Sequence, residues 1–205
     1  MTRIKLCGLT RPEDIRAANE LGPDCVGFVF APRSRRYVTP QRAAELKQAL
    51  DPRIRAVGVF VNETAQAVAA FLNGGIIDIA QLHGSEDEEY IQRLRALTGR
   101  PLIRAFRIET ERDIARAGRS GADYILLDSG SGSGGSFDWK LAQNFPRPYF
   151  LAGGLNPDNV KDALRRLAPY GVDVSSGIET DGIKDKRKMA AFVAAVRKED
   201  EHDQS

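Results

Sequence analysis

Short apolar segments alternate eight times with longer segments of helical periodicity along this 205-residue chain. Several of the apolar segments, such as residues 26–30 and 57–61, contain no charged or hydrogen-bonding side chain. This is typical of strands that are covered on both faces in a parallel sheet. The predicted strands are residues 4–7, 25–30, 56–61, 77–82, 102–106, 124–127, 149–152 and 172–175.

The intervening segments are predicted to be helical, because their apolar residues recur at i, i+3, i+4 and i+7, as at positions 160, 163, 164 and 167. Helix-start signals precede several of them: capping boxes at 10–13 and 85–88, and a cap residue before proline at Thr39 and Asn156. Eight such units predict the α/β class and a (β/α)8 TIM barrel, forming one compact domain over residues 1–205. An open doubly wound sheet is the alternative, although such sheets more often have five or six strands.

Two segments stand outside this alternation. The polar residues 198–205 are expected to form a disordered tail. The segment 129–136 (SGSGSGGS) formally contains the G-x-G-x-x-G pattern of dinucleotide-binding loops. Its composition makes that match almost unavoidable and the strand–turn–helix context is missing, so we interpret Ser129–Ser136 as a lid over the substrate.

Composition narrows the possible partners. The 30 basic and 28 acidic residues leave a net charge of +2 and no concentrated basic face, so neither nucleic acid nor a membrane is expected as a partner. No apolar run approaches the roughly 18 residues that would span a bilayer. The two cysteines, Cys7 and Cys25, form no CxxC pair, which predicts neither disulfides nor a metal site. The chain begins without a signal-peptide pattern, so a cytoplasmic location is expected, as a monomer or homodimer.

In a barrel of this kind, functional side chains lie at the carboxyl ends of the strands and in the loops that follow. Cys7 ends the first predicted strand, whereas Cys25 begins the second and lies at the opposite end. A cysteine in an apolar strand is commonly just a small core residue, and this alternative stays open for Cys7. At the carboxyl end, however, a nearby cation can lower the pKa of a thiol from about 8.5. We therefore predict Cys7 as a catalytic base.

Asp128 follows the sixth predicted strand and is the candidate catalytic acid. A carboxyl group that is partly desolvated in the barrel opening keeps its proton toward neutral pH. The alternative is a solvated aspartate that caps the loop. With Cys7 on the first strand and Asp128 on the sixth, the two groups would face each other across the opening as an acid–base pair.

The remaining candidates would bind a substrate. Arg36, one of three arginines at positions 33, 35 and 36, can contact a carboxylate through two hydrogen bonds. His83 follows the fourth strand without other potential ligands nearby, so a structural or substrate-lining role is favoured over a metal site. Glycine-containing strand ends at the seventh and eighth strands favour phosphate binding, although tight turns would also explain the glycines. The residues assigned to substrate binding at these two ends are Gly153, Gly154, Asp173, Ser175, Ser176 and Gly177.

The chain resembles the phosphoribosylanthranilate isomerase family of tryptophan biosynthesis from about residue 3 to residue 195. Each matching segment is modest alone, but their order across all eight units is specific. The segments are 5–10 (KLCGLT), 27–37 (GFVFAPRSRRY), 58–62 (GVFVN), 81–84 (QLHG), 126–128 (LLD), 137–139 (FDW), 153–157 (GGLNP) and 172–179 (VDVSSGIE). Family members often have a longer loop before residues 137–139, which leaves the contacts of the expected lid open.

The resemblance implies an Amadori rearrangement of N-(5-phosphoribosyl)anthranilate, in which Asp128 protonates the furanose ring oxygen and Cys7 removes the C2 proton. It also implies that Arg36 binds the anthranilate carboxylate, that the glycine-rich strand ends bind phosphate, and that no cofactor or metal takes part. The barrel isomerase of the histidine pathway is a rival, but that family has an aspartate base at the end of the first strand, where this chain has Cys7. A non-catalytic binder of phosphorylated ligands is a second rival, which would not require both Cys7 and Asp128.

Overall fold

Eight parallel strands close into a barrel in the structure, a computed structural model that describes residues 1–128 and 139–202. Each strand pairs with its neighbours in chain order, and β8 returns to pair with β1. The strands are β1 (Arg3–Cys7), β2 (Cys25–Val29), β3 (Arg55–Phe60), β4 (Ile79–Leu82), β5 (Leu102–Arg107), β6 (Tyr124–Asp128), β7 (Tyr149–Ala152) and β8 (Gly171–Val174). The predicted barrel is confirmed, and every predicted strand lies within two residues of an observed one.

Seven α-helices cover the outside of the barrel within the described residues. They are α1 (Pro12–Leu21), α2 (Pro40–Gln48), α3 (Ala65–Asn73), α4 (Glu88–Leu97), α5 (Glu111–Gly118), α6 (Val160–Leu167) and α7 (Lys186–His202). The described part of the sixth unit has only a 3₁₀ turn, Trp139–Ala142, before β7. A small antiparallel hairpin, β9 (Glu179–Thr180) and β10 (Ile183–Lys184), follows β8.

Helix starts were predicted less accurately than strands. Thr39 caps α2 as expected, because its hydroxyl accepts the backbone N–H of Arg42. The other three signals are displaced by one to three residues. At α4 the side chain of Asp87 takes the capping position by accepting the backbone N–H of Tyr90, whereas the cap residues of α1 and α6 make no such side-chain bond. The observed N-caps of α1, α4 and α6 are Arg11, Asp87 and Asn159.

The carboxyl-terminal segment differs from expectation, because α7 continues through His202 into the predicted tail 198–205. The buried Glu199 accepts two hydrogen bonds from Arg165 of α6, at 2.6 and 3.1 Å. Asp200 accepts the backbone N–H of Thr2 at 3.0 Å. These tertiary contacts hold a polar segment in a helix that its composition does not predict, and residues 203–205 lie outside the described part of the chain.

Alternation along each strand divides the core into two parts. On β1, Ile4 and Leu6 pack outward with the helices, whereas Lys5 and Cys7 point into the barrel. The interior below the opening is filled mainly by apolar side chains. Within the described residues no helix is long and apolar enough to cross a membrane.

Candidate active site

A cavity of about 410 Å³ opens at the carboxyl ends of the strands. We call it the mouth. It collects nearly all of the residues predicted from the sequence, although they are spread over 170 positions of the chain. Those that line it are Cys7, Arg36, His83, Asp128, Gly153, Gly154, Asp173, Ser175 and Ser176. The expected lid, Ser129–Ser136, lies outside the described residues.

Cys7 is buried at the end of β1, and the structure supplies the cation that the sequence argument required. Lys5, two residues earlier on the same face of the strand, is fully buried inside the barrel. Its ammonium group donates to Asp173 of β8 at 2.9 Å. Room for the thiol comes from Gly27 on β2, because a Cβ atom there would lie only 2.6 Å from the Cys7 sulphur.

Two opposing effects act on the Cys7 thiol. Burial raises its pKa by disfavouring the thiolate, and the positive charge of Lys5 opposes that rise only in part. Burial alone would lower the pKa of Lys5, but the charge of Asp173 and the proximity of Cys7 raise it overall, so Lys5 remains an ammonium ion. The pKa of the Cys7 thiol is therefore raised, contrary to the expectation of a lowered one.

Asp128 ends β6 on the far side of the mouth and contacts His83. The Oδ2 atom of Asp128 lies 3.2 Å from Nε2 of His83, which follows β4. The other ring nitrogen, Nδ1, lies 2.8 Å from the carboxamide nitrogen of Gln81. Both the His83 and the Asp128 side chains are partly exposed toward the cavity, so solvent or a ligand can reach them.

Arg36 reaches the mouth but is already paired. Its Nε and Nη2 atoms bind the two carboxylate oxygens of the buried Glu179, at 2.6 and 2.9 Å. Gly8 has a φ of +80°, and a side chain there would collide with Arg36. These contacts fix the guanidinium group at the rim, where further N–H groups are available for a ligand because Arg36 has five.

Glu179 also pairs with a second cation. Lys184 of β10 donates to Glu179 at 2.6 Å and to the backbone oxygen of Ser175 at 2.8 Å. Burial would raise the pKa of Glu179, but the hydrogen bonds from Arg36 and Lys184 hold it at about 2. Burial lowers the pKa of Lys184, and Glu179 offsets this only in part. The cluster therefore ties the β9–β10 hairpin to the mouth.

The two glycine-containing strand ends lie side by side, as predicted. Gly153 and Gly154 have φ values of +92° and +64°, which only glycine adopts readily. Gly177 is the exception among the predicted residues, because it does not line the described cavity. A Cβ atom at Gly177 would overlap the backbone oxygen of Leu155. Its role is therefore to let the loop after β8 pack closely against the loop after β7.

Four residues received no role from the sequence, although Gln81 lines the mouth and Lys5, Glu179 and Lys184 contact residues that line it. For Lys5 and Gln81 a signal existed, since each lies two residues before a predicted site residue and therefore faces the same side of its strand. Among residues 1–128 and 139–202 no cluster of histidine, cysteine or acidic side chains has the arrangement of a metal site.

The chain matches known proteins over nearly its whole length. Residues 4–195 match the family model described as N-(5′-phosphoribosyl)anthranilate (PRA) isomerase. The N-(5′-phosphoribosyl)anthranilate isomerase of Dechloromonas aromatica is 49% identical over 208 residues, covering 98% of each chain.

Solved structures give the same result. A structure of monomers of the dimeric phosphoribosylanthranilate isomerase from Thermotoga maritima superposes with a TM-score of 0.86 at 36% identity, covering 97% of this chain and 100% of the other. A second structure, of a phosphoribosylanthranilate isomerase in complex with reduced 1-(o-carboxyphenylamino)-1-deoxyribulose 5-phosphate, matches with a TM-score of 0.85 at 36% identity and the same coverage.

Proposed function

The chain belongs to the N-(5′-phosphoribosyl)anthranilate isomerase family, and from this premise we propose that Cys7 and Asp128 carry the proton transfers of its reaction. It is an isomerase of tryptophan biosynthesis that converts N-(5-phosphoribosyl)anthranilate to 1-(2-carboxyphenylamino)-1-deoxyribulose 5-phosphate, an aldose-to-ketose Amadori rearrangement. The observation that carries the proposal is that a thiol on β1 and a carboxyl group on β6 line one cavity.

The first step opens the sugar ring. Asp128 gives its proton to the furanose ring oxygen, the bond from that oxygen to C1 breaks, and the nitrogen lone pair forms a protonated Schiff base with C1. The negative charge left on Asp128 faces Nε2 of His83. A hydrogen bond to the charged carboxylate favours this product state.

The second step removes the proton from C2. Cys7 takes it as the thiolate, the electron pair forms a double bond between C1 and C2, and the Schiff-base electrons return to nitrogen. The resulting enolamine then tautomerises to the ketose. Because burial raises the pKa of Cys7, a positive charge is needed close to the thiol when it ionises. Lys5 and the protonated Schiff base supply that charge from two sides.

Substrate recognition is assigned to the rest of the mouth. We assign the carboxylate of the anthranilate ring to the free side of Arg36, and the phosphate to the paired strand ends at Gly153, Gly154, Ser175 and Ser176. Gly177 shapes this second site through its contact with Leu155. Asp173 acts mainly as the partner of Lys5, and this contact places its carboxylate beside the reacting thiol.

A cytoplasmic location and action as a monomer or homodimer complete the proposal. A catalytic thiol must stay reduced, which favours a reducing compartment, and both cysteines are free in the structure. No cofactor is assigned, since proton transfer alone balances the steps above.

Loss of substrate fluorescence during conversion of freshly prepared phosphoribosylanthranilate tests the two catalytic roles. We expect Cys7→Ala and Asp128→Asn each to lower kcat by at least about 10²-fold, the usual contribution of an acid or base. Cys25→Ala, at the opposite end of the barrel, is the matched control and should keep nearly full turnover. Near-normal turnover by either mouth variant would reject the role assigned to that residue.

A further inference from the structure

Gln81 is one of the few polar side chains buried inside the barrel. It is only 1% exposed and pairs in register with Val59 of β3 and Ile103 of β5. Burying a carboxamide costs free energy unless its hydrogen bonds are replaced. Within the described residues its side chain has a single such partner, Nδ1 of His83 at 2.8 Å, and its Oε1 atom has none. The group is therefore placed for its contact with His83.

The chemistry of this contact decides where His83 carries its proton. The atom of Gln81 that faces His83 is the carboxamide nitrogen, which can only donate a hydrogen bond. Nδ1 must then accept, so the neutral imidazole carries its proton on Nε2. That nitrogen lies 3.2 Å from Oδ2 of Asp128, so the N–H group faces the carboxylate.

The backbone around His83 is held independently of this contact. Arg104 of β5 donates to the carbonyl oxygens on both sides of the histidine, Leu82 at 2.9 Å and Gly84 at 3.1 Å. The backbone N–H of His83 donates to Phe60 at 2.8 Å. With the main chain fixed in this way, the orientation and tautomer of the ring depend on the groups at its two nitrogens.

We propose that Gln81 is a positioning residue of the isomerase, which fixes His83 as the Nε2–H tautomer so that the imidazole donates a hydrogen bond to Asp128. The catalytic consequence rests on the proposed role of Asp128 as the acid. After Asp128 has given up its proton, a neutral imidazole stabilises the carboxylate through one hydrogen bond. An imidazolium ion would bind that carboxylate more strongly, as an ion pair. Asp128 can then regain a proton before the next turnover.

Nitrogen NMR of the ¹⁵N-labelled full chain tests the tautomer directly, because the sequence contains only two histidines. At about pH 8 we expect the proton of His83 on Nε2. Gln81→Glu places a carboxylate acceptor at Nδ1 and should move the proton to that nitrogen. His202, at the end of α7, serves as the internal control and should not change.

A proton on Nδ1 in the unmodified protein, or the same tautomer in Gln81→Glu, would overturn the proposal. This readout does not depend on turnover. It therefore separates failure of the Gln81 inference from failure of the acid role of Asp128, which Asp128→Asn tests on its own.

Kinetics provide the second readout. Gln81→Met keeps the side-chain volume but removes the donor, and we expect kcat to fall about 10-fold while KM changes by less than about twofold. This loss is smaller than that of removing an acid or base outright. Gln92→Met, on the exposed face of α4, is the matched control. An unchanged kcat, or a loss confined to KM, would contradict positioning, and the Gln81→Glu tautomer decides the question if Gln81→Met does not fold.

Discussion

The two ends of the barrel each hold a buried cysteine beside a cavity, but the charged groups around the two thiols differ. Cys7 lies at the mouth, and Cys25 lies at the base, where a second cavity of about 390 Å³ is lined by Arg3, Arg53 and Arg55 among others. Burial raises the pKa of Cys25 to about 12. For Cys7, burial acts in the same direction. The charge of Lys5 opposes the rise at both thiols, but at Cys7 the charge of Lys184 and a hydrogen bond from Lys5 also lower the pKa.

The arginines at the two ends of the barrel also differ in the burial of their charge partners. At the base, Arg3 pairs with Asp24 and Arg53 pairs with Asp51, and both arginine side chains are more than half exposed. Exposed pairs of this kind contribute little. At the mouth, Arg36 is held by a buried carboxylate and is only 21% exposed. The two ends therefore differ in how firmly a cavity-lining arginine is held, because the partner of Arg36 is a buried carboxylate and the partners at the base are more exposed.

The largest expected effect comes from removing the charge beside Cys7. Lys5→Met alone would leave Asp173 buried without its partner, so the informative variant is Lys5→Met with Asp173→Asn, which is neutral and similar in volume. A cation close to a thiol shifts its pKa by about 1 to 3 units. Alkylation of Cys7 by iodoacetamide near neutral pH should therefore slow by roughly 10- to 100-fold, in a Cys25→Ser background.

The rising limb of kcat/KM against pH should move to higher pH in the same double variant. The direction follows because losing the positive charge of Lys5, the larger of the two effects, raises the pKa of Cys7 by more than losing the negative charge of Asp173 lowers it. Cys25, measured in a Cys7→Ser background, also lies beside Lys5, whose charge opposes the rise that burial causes in its pKa, so its already low alkylation rate should fall in the same direction. If the Cys7 alkylation profile does not move, the buried pair serves only the structure of the barrel.

These groups also show how far the sequence predicts the site. Strand alternation and the barrel rule place Cys7 and Asp128 at the mouth without any knowledge of tertiary contacts. The charged state of Lys5 inside a barrel cannot be predicted in that way, because it depends on Asp173, 168 positions away in the chain. The pairing of Arg36 with Glu179 also joins residues far apart in the chain, separated by 143 positions.

The predicted helix starts were displaced for a related reason, since tertiary contacts also decide which side chain caps a helix. Ser85 looked like a cap of α4, but its hydroxyl donates to Asn62 after β3, and Asp87 accepts the backbone N–H of Tyr90 instead. Several side chains near a helix start can cap it, and tertiary contacts select one. Strand positions are less ambiguous, because slipping by one residue would turn every apolar side chain to the wrong face.

Arg36→Ala gives an intermediate effect and extends the comparison to substrate binding. Hydrogen bonds to a charged partner contribute about 1.5–3 kcal/mol, so we expect KM to rise at least about 10-fold with a smaller change in kcat. Arg53→Ala at the base is the matched control and should leave both constants within about twofold. Steady-state kinetics with phosphoribosylanthranilate measures the difference, and an unchanged KM in Arg36→Ala would exclude the carboxylate contact.

The smallest effect concerns stability, and it compares the buried carboxylate of Glu179 beside the mouth with the partly exposed carboxylate of Asp24 at the base. Glu179 has an ordinary pKa of 4.5 when unfolded and about 2 when folded. Its contribution to stability is therefore fully present above about pH 4.5 and is lost as the pH falls toward 2. Glu179→Gln keeps much of the hydrogen bonding but not the charge, so it should lower the free energy of unfolding at pH 7 by about 1 to 2 kcal/mol. Urea unfolding at a series of pH values should show this deficit shrinking below pH 4.5.

Asp24→Asn, which removes the partner of Arg3 and Arg197 at the base, should give a smaller deficit because its cations are more exposed. A deficit in Glu179→Gln that does not depend on pH would mean that packing, and not charge, ties the β9–β10 hairpin to the mouth.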